Sequence, residues 1–141
     1  MKGGQKMRIM AIDYGDSRTG IAVSDLLGML AGDAWTIKDW NPETLSDTIA
    51  AEVKSRQVEK LVLGYPKNMD GTLGPRAEKS AAFAELLRAK TGLEVVLWDE
   101  RRTTVDAHRI LSDHNRHGKK RKETVDAVAA TLILEGYLNS I

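Results

Sequence analysis

The chain has 141 residues, of which 42% are hydrophobic, a length that allows one well-formed core and is short for two domains. Its 21 basic and 20 acidic residues give a formal net charge of +1, so composition alone provides no general attraction to polyanions. The absence of cysteine excludes disulfides and thiolate metal sites, and it fits a reducing compartment.

The start of the chain does not have the pattern of a secretory signal. Residues 1–6 lack the apolar stretch of a secretory signal, and no segment is apolar for long enough to span a membrane. We therefore expect a soluble, cytoplasmic protein with a flexible extension at residues 1–6 and a single domain over residues 7–141.

The first part of the chain is predicted to be a meander of strands. The apolar runs at residues 8–14 and 19–24 are separated only by a short turn sequence, so the two strands must be antiparallel. A third strand is expected at residues 34–37.

Helices and strands alternate in the rest of the chain. A helix is predicted over residues 42–56, because Asn41 offers an N-cap side chain and Leu45, Ile49 and Val53 recur at four-residue spacing. The remaining predicted elements are a strand at 60–64, a long loop at 65–74, a helix at 75–90, a strand at 93–98, a short helix at 103–111, a basic loop at 114–122 and a last helix at 123–138. This alternation implies parallel strands, so the predicted fold class is α/β, with a mixed five-stranded sheet flanked by helices.

The last predicted helix has one strongly apolar face. Its members are Val125, Val128, Ala129, Leu132 and Ile133, which recur at three- and four-residue intervals. We expect this face to be buried against the sheet.

Three acidic residues lie where the apolar pattern stops. Asp13 closes the first strand, Glu100 follows the strand at 93–98, and Asp126 interrupts an apolar stretch of the last helix. Each acid alone is compatible with an ordinary role, as a turn hydrogen-bonding group or on a solvated helix face. Together at one edge, carboxylates about 4 Å apart repel by roughly 4 kcal/mol at an effective dielectric near 20, and a divalent cation turns that repulsion into attraction.

The set therefore predicts a metal site. Hard carboxylate oxygens suit Mg²⁺ or Mn²⁺ better than zinc. Two such ions could polarise a phosphodiester, lower the pKa of an attacking water and stabilise the leaving oxygen, so that no covalent nucleophile is needed.

Basic residues supply candidate phosphate contacts. Lys67 lies in the long predicted loop, and Arg76 lies at the start of the helix that follows, where the N-terminus favours anions. The run Lys119-Lys120-Arg121-Lys122 would place cations beside the acidic centre, although such runs are more often solvated surface. His114 and His117 have a ligand-like interval, but their cationic neighbours favour a phosphate-binding loop.

Five motifs occur in order along the chain. They are Ala11-Ile12-Asp13-Tyr14-Gly15, Gly20-Ile21-Ala22-Val23-Ser24, Leu63-Gly64-Tyr65-Pro66-Lys67-Asn68-Met69-Asp70-Gly71, Asp99-Glu100-Arg101-Arg102-Thr103-Thr104 and Val125-Asp126-Ala127-Val128-Ala129-Ala130. In this order and at this length, they resemble the bacterial YqgF (RuvX) family from Met7 to Tyr137. The resemblance implies a ribonuclease H-like fold and activity as a Holliday junction resolvase, or as a nuclease that trims the precursor of small-subunit ribosomal RNA.

The resemblance also implies roles for individual residues. Asp13, Glu100 and Asp126 would form the catalytic, metal-binding triad. Candidates for phosphate contact and for shaping the active site would be Lys67, Asn68, Arg76, Arg101 and Arg102. The run at 119–122 is denser in charge than is typical of the family, which leaves its role open.

We therefore expect a Mg²⁺-dependent nuclease, as a monomer or homodimer, that acts on structured RNA or branched DNA recognised by shape. One alternative is a noncatalytic nucleic-acid-binding module. Another is an ATPase, because Asp13-Tyr14-Gly15 with residues 17–20 also resembles the first phosphate motif of actin-like proteins and sugar kinases, although those need two such domains.

Overall fold

The computed structural model describes residues 7–25, 31–65, 74–99 and 118–141, and for residues 118–124 it describes the backbone alone. Several predictions fall outside these residues. They concern the extension at 1–6, the helix at 103–111, both ligand-like histidines, and the site candidates Lys67, Asn68, Glu100, Arg101 and Arg102.

The described residues form five strands and three helices around one mixed sheet. In chain order they are β1 (Arg8–Asp13), β2 (Arg18–Ser24), β3 (Ala31–Lys38), α1 (Pro42–Arg56), β4 (Val58–Tyr65), α2 (Pro75–Thr91), β5 (Val95–Asp99) and α3 (Gly118–Ser140). The strand order is β3-β2-β1-β4-β5, antiparallel from β3 to β1 and parallel from β1 to β5. This arrangement confirms the predicted α/β class and the mixed five-stranded sheet.

The two faces of the sheet bury different helices. Alternation along β1 places Met10 and Ile12 on one face and Ile9 and Ala11 on the other. The helical side chains of the first face are Leu45, Ile49 and Val53 of α1 with Phe83, Ala84 and Leu87 of α2, and those of the second are Ala130, Ile133, Leu134 and Tyr137 of α3. The same alternation places Asp13 on the α3 face, so the chemistry expected of Asp13 belongs to that side.

Local signals set the ends of α1 and α2. The side-chain oxygen of Asn41 accepts a hydrogen bond of 2.8 Å from the backbone N–H of Glu43, and Pro42 is the first helical residue. The apolar face predicted for α1 is buried. Helix α2 ends at Gly92, whose φ of 72° lies in the left-handed region that glycine adopts at least cost. The sequence predictions for these two helices are confirmed.

The start of α3 differs from the prediction. The helix begins at Gly118, so the run Lys119-Lys120-Arg121-Lys122 lies on a helix, and the predicted basic loop is wrong over these residues. Lysine and arginine are good helix formers, and a helix anchored on the sheet further along can extend through them.

The buried face of α3 also differs in part from the prediction. Ile133 is buried as expected, but the other buried residues are Ala130, Leu134 and Tyr137, and the rest of the predicted face is half-buried. The aromatic ring of Tyr137 packs edge to face on Trp98 of β5, with centroids 5.8 Å apart, which fixes the rotation of the helix. No helix in the described parts of the chain is long and apolar enough to cross a membrane.

Helix α3 approaches the sheet very closely at Gly20. A methyl group at Gly20 would overlap the backbone carbonyl oxygen of Asp126. Gly20 lies directly opposite Asp13 in the pairing of β1 with β2, where Cα atoms of facing residues are roughly 4.5–5.5 Å apart. The missing side chain of Gly20 therefore brings α3 next to the end of β1.

We expect Gly20→Ala to destabilise the protein by about 2–3 kcal/mol, because the overlap is with backbone that cannot rotate away as a side chain can. The measurement is urea unfolding followed by circular dichroism. Gly92→Ala is the matched control: its added Cβ would meet nothing within 4 Å, so it carries only left-handed strain of about 1 kcal/mol. Equal losses in the two variants would contradict the close approach.

Candidate functional site

A cavity of about 200 Å³ opens at the carboxyl end of β1. It is lined by residues from β1, the β1–β2 turn, the start of β2, the start of α2 and the body of α3: Asp13, Tyr14, Gly15, Asp16, Ser17, Arg18, Arg76 and Asp126. Three candidates from the sequence, the acids Asp13 and Asp126 and the cation Arg76, are therefore brought to one cavity. Asp13 and Asp126 are 113 residues apart along the chain.

Asp126 faces an arginine that the sequence analysis did not single out. Nε of Arg18 lies 3.1 Å from Oδ2 of Asp126. Asp126 was expected about one turn into its helix, but it lies more than two turns from the start of α3 at Gly118. One signal for Arg18 was present in the sequence, because strand alternation places Arg18 on the same face as Gly20, the face that packs on α3.

The ion pair offsets the crowding of negative charge. The side chains of Arg18 and Asp126 are 36% and 22% exposed, so solvent screens the pair and its net contribution is roughly 0–1 kcal/mol. Its larger effect is on the position of the Arg18 guanidinium. Held by Asp126, this group is already placed to donate hydrogen bonds to other oxygen atoms in the cavity.

The turn between β1 and β2 is fixed by its own hydrogen bonds. The backbone N–H of Gly15 donates to the hydroxyl of Thr19 at 3.3 Å, and a methyl group at Gly15 would overlap the carbonyl oxygen of Arg18. Nη2 of Arg76 donates to the backbone carbonyl of Tyr14 at 3.3 Å. The start of α2 is thereby tied to the turn, and the Arg76 guanidinium is held at the rim of the cavity.

The remaining candidates are placed only by the elements next to them. Ile12 of β1 pairs in register with Leu63 of β4, and Tyr65 of β4 pairs with Asp99, so the carboxyl ends of β1, β4 and β5 share one edge. Glu100 is the next residue after Asp99, and its own position stays a prediction, like those of Lys67, Asn68, Arg101 and Arg102. For Lys119, Lys120, Arg121 and Lys122 the structure describes the helical backbone alone.

The described carboxylates fit part of the ligand set of a hard divalent cation. Asp13 and Asp126 offer the oxygen ligands that Mg²⁺ and Mn²⁺ prefer. Within residues 7–25, 31–65, 74–99 and 118–141, no group of three or more His, Cys, Asp or Glu side chains is placed to hold a metal, and the third predicted ligand, Glu100, lies outside these ranges. A cation bound through Oδ2 of Asp126 would compete with Arg18 for that oxygen.

Comparison with known proteins identifies relatives over most of the chain. The model of the RuvX family, described as Holliday junction resolvase, matches residues 7–140. A protein of Halothermothrix orenii named "Putative pre-16S rRNA nuclease" is 47% identical over 133 residues, which cover 94% of this chain and 95% of that protein. A protein of the same name from Listeria monocytogenes is 48% identical over 136 residues, covering 95% of this chain and 99% of its own.

Solved structures share the fold at low sequence identity. RuvC from T. thermophilus in complex with a Holliday junction substrate has a TM-score of 0.63 at 10% identity, covering 95% of this chain and 96% of that chain. Fowlpox virus resolvase with its Holliday junction DNA has a TM-score of 0.56 at 12% identity, covering 95% and 98%. This likeness concerns the fold alone, and it confirms the predicted ribonuclease H-like class.

We expect Arg18→Gln and Asp126→Asn to be coupled in a double-mutant cycle. The coupling free energy should be about 0.5–1 kcal/mol at low ionic strength and should shrink as salt is added, because the pair is partly exposed. Urea unfolding of the wild type, both single variants and the double variant measures it. Strictly additive losses at low salt would show that the ion pair does not form in solution.

Proposed function

Because this chain belongs to the RuvX family, we propose that it is a nuclease that hydrolyses phosphodiester bonds in the precursor of small-subunit ribosomal RNA. The observation that carries the proposal is the meeting of Asp13 and Asp126 in one cavity with Arg18 and Arg76. The choice of RNA follows the names of the relatives that are 47–48% identical to this chain. The cytoplasm is the compartment that fits this substrate.

The proposed metal ligands are Asp13 and Asp126 together with Glu100, and the proposed cation is Mg²⁺ or Mn²⁺. When bound, the cation would polarise the phosphodiester and make an attacking water more acidic. The hard oxygen chemistry of the two described carboxylates supports this assignment.

The cationic residues of the site offset the repulsion between its carboxylates and a negative substrate. A phosphodiester is negative, so carboxylates alone would repel it. Arg18 and Arg76 line the same cavity as the acids, and a guanidinium can donate two parallel hydrogen bonds to phosphate oxygens. We propose that both contact the substrate backbone, Arg76 from the rim and Arg18 when it leaves Asp126.

The basic run Lys119-Lys120-Arg121-Lys122 occupies the first turns of α3, the helix that carries Asp126. The N-terminal end of a helix is also the positive end of its dipole. We propose that this end of α3 attracts the phosphate backbone on either side of the cleavage site, through contacts that do not depend on base sequence.

A second candidate function is resolution of Holliday junctions. The description of the family model and the fold shared with two junction-bound resolvases favour it. A four-way junction presents two equivalent cleavage positions, so this function calls for a homodimer with two matched sites. Cleavage of a precursor RNA requires only a monomer.

We expect Asp13→Asn to lower the cleavage rate by at least about 100-fold, because a loss of several kcal/mol of metal-derived stabilisation has that effect. The melting temperatures of the variant and the wild type establish that the variant is folded. Cleavage of precursor 16S rRNA is the measurement. Asp47→Asn, an exposed carboxylate that pairs with Lys90, is the control and should cleave like the wild type. Full activity in Asp13→Asn would contradict the assignment.

The same assay separates the candidate functions. Precursor RNA, linear DNA and a four-way DNA junction are compared side by side, with Mg²⁺ and with chelator. Preference for the junction would favour the resolvase, cleavage in chelator would remove the metal from the proposal, and failure to cut any substrate with Mg²⁺ would indicate a noncatalytic binding module.

We expect Arg76→Ala to weaken nucleic-acid binding and to reduce the slope of log K against log salt by about 1, as for the loss of one phosphate contact. Fluorescence anisotropy with labelled RNA over a range of salt concentrations measures both. Lys54→Ala, which removes the same charge from the last turn of α1, is the matched control. An unchanged slope in Arg76→Ala would show that Arg76 does not contact phosphate.

A further inference from the structure

The cavity that contains Asp13 and Asp126 is the acidic cavity. A second cavity, of about 480 Å³, lies beside it. It is lined by Tyr14, Asp16, Trp40, Pro42, Lys79, Ala82, Phe83 and Leu86. Tyr14 and Asp16 line both cavities. Tyr14 follows Asp13 but packs against the core on the α1 and α2 face of the sheet. The second cavity therefore lies on that face, whereas Asp13 lies on the α3 face.

The wall of this second cavity is aromatic and apolar. The rings of Tyr14 and Phe83 are stacked in parallel, with centroids 4.2 Å apart and planes at 3°. Asp16 and Lys79 are the charged residues that line this cavity, and a flat apolar group would fit against its rings.

Trp40 lies on the rim of the second cavity and is 80% exposed. Among the described residues, the other exposed large apolar side chains are Leu97 and Ile141, and neither lines this cavity. A large exposed ring beside an apolar cavity is typical of a surface that binds a partner.

The backbone on both sides of Trp40 is fixed. The carboxylate of Asp39 accepts hydrogen bonds from the backbone N–H of Asn41 at 2.9 Å and from the hydroxyl of Thr44 at 2.7 Å. The backbone N–H of Asp39 donates to the carbonyl of Ser17, in the turn of the acidic site, at 3.0 Å. The backbone that carries the indole is thus held at a set place relative to the acidic cavity, which lowers the entropy lost on binding.

Two cations mark the boundary between the cavities. Arg76 lines the acidic cavity and Lys79 the apolar one, and they are three residues apart on α2, so they share a face of that helix. Lys79 lies 3.5 Å from Asp16 and is 62% exposed, a weak pair that a phosphate could replace. A nucleic-acid strand carries phosphates and flat bases in alternation. Its phosphates would match the cations Arg76 and Lys79, and its bases would match the apolar wall of the second cavity.

We propose that the second cavity binds an unpaired nucleobase of the substrate, stacked on Trp40, beside the phosphate that enters the acidic cavity. The choice of a nucleic acid rests on the proposed nuclease function. Every base has an apolar π-face that stacks on aromatic side chains. In a duplex both faces of a base are covered by its neighbours, so the occupant is a base in an unpaired stretch, the form in which proteins commonly read RNA.

Tryptophan fluorescence gives a direct test, in chelator so that no cleavage occurs. The chain has three tryptophans; Trp98 is buried and Trp35 half-buried beneath Arg56, so Trp40 is the exposed reporter. The probes are a short oligoadenylate and a chain of the same length with abasic sugars. We expect the oligoadenylate to quench the wild type and the abasic chain to leave its fluorescence unchanged.

Variants assign the effect to this site. Trp40→Ala should lose the quenching and bind oligoadenylate about tenfold more weakly, in keeping with the loss of one stacked base. Its affinity for the abasic chain should not change. Trp40→Phe should keep most of the affinity, and Leu97→Ala, which removes an exposed apolar side chain outside the cavity, should behave like the wild type. Melting temperatures establish that the variants are folded.

The outcomes separate this proposal from the nuclease proposal. Equal affinity of Trp40→Ala and wild type for oligoadenylate would overturn the base site even if the wild type cleaves RNA. Base-dependent quenching without cleavage of any substrate would overturn the nuclease and leave the base site standing. A wild-type dimer that dissociates in Trp40→Ala, with no quenching by oligoadenylate, would assign the cavity to a second copy of this chain and overturn the proposal.

Discussion

The acidic cavity depends on one packing contact, the approach of the α3 backbone at Asp126 to Gly20 of β2. Gly20 lies opposite Asp13 on the neighbouring strand, and Arg18 lies two residues before it on the same face. The contact therefore fixes an acid from β1, a cation from β2 and an acid from α3 relative to one another. Glycine within a strand weakens that strand, and here the missing side chain is what allows the helix to reach the site.

Charge balance follows from this geometry. Two carboxylates at the edge of a core need a cation, and the chain supplies one in Arg18, which pairs with Asp126 in the structure described. In the proposed nuclease, Arg18 and the divalent ion would compete for the Oδ2 oxygen of Asp126, and an Arg18 guanidinium that leaves this oxygen could donate to the incoming phosphate instead. Arg18 would then stabilise the fold when no metal is bound and contact the substrate when the metal is bound.

Local chemistry made much of the fold predictable. Asn41 and Pro42 determine where α1 begins, and Gly92 determines where α2 ends, because the interactions concerned lie within a few residues. The rotation of α3 was not predictable in this way, since it depends on contact of Tyr137 with Trp98, 39 residues away in sequence. Its start was missed because a run of four basic residues is compatible both with a loop and with the extension of an anchored helix.

The candidate site shows the same division. Asp13 and Asp126 were identified because each interrupts an apolar pattern, and Arg76 because it opens a helix. Arg18 gave a weaker signal: strand alternation places it on the face of Gly20, but its partner Asp126 is known only from the folded chain. Trp40 was overlooked for a related reason: its exposure, and its position at an aromatic cavity, exist only in the folded chain. The roles of all the candidate site residues stay predictions, and Glu100, Lys67, Asn68, Arg101 and Arg102 lie outside the described residues.

The alternation of β1 connects the two proposals. Asp13 and Tyr14 are neighbours in sequence, but they belong to opposite faces of the sheet, so one strand end presents a carboxylate to one cavity and an aromatic ring to the next. A nucleic-acid strand that crosses this edge of the sheet would contact charged side chains on the α3 face and aromatic rings on the opposite face. A continuous duplex would gain little from that opposite face, because its bases are already stacked. Taken together, the two proposals favour substrates with an unpaired stretch at the cleavage site.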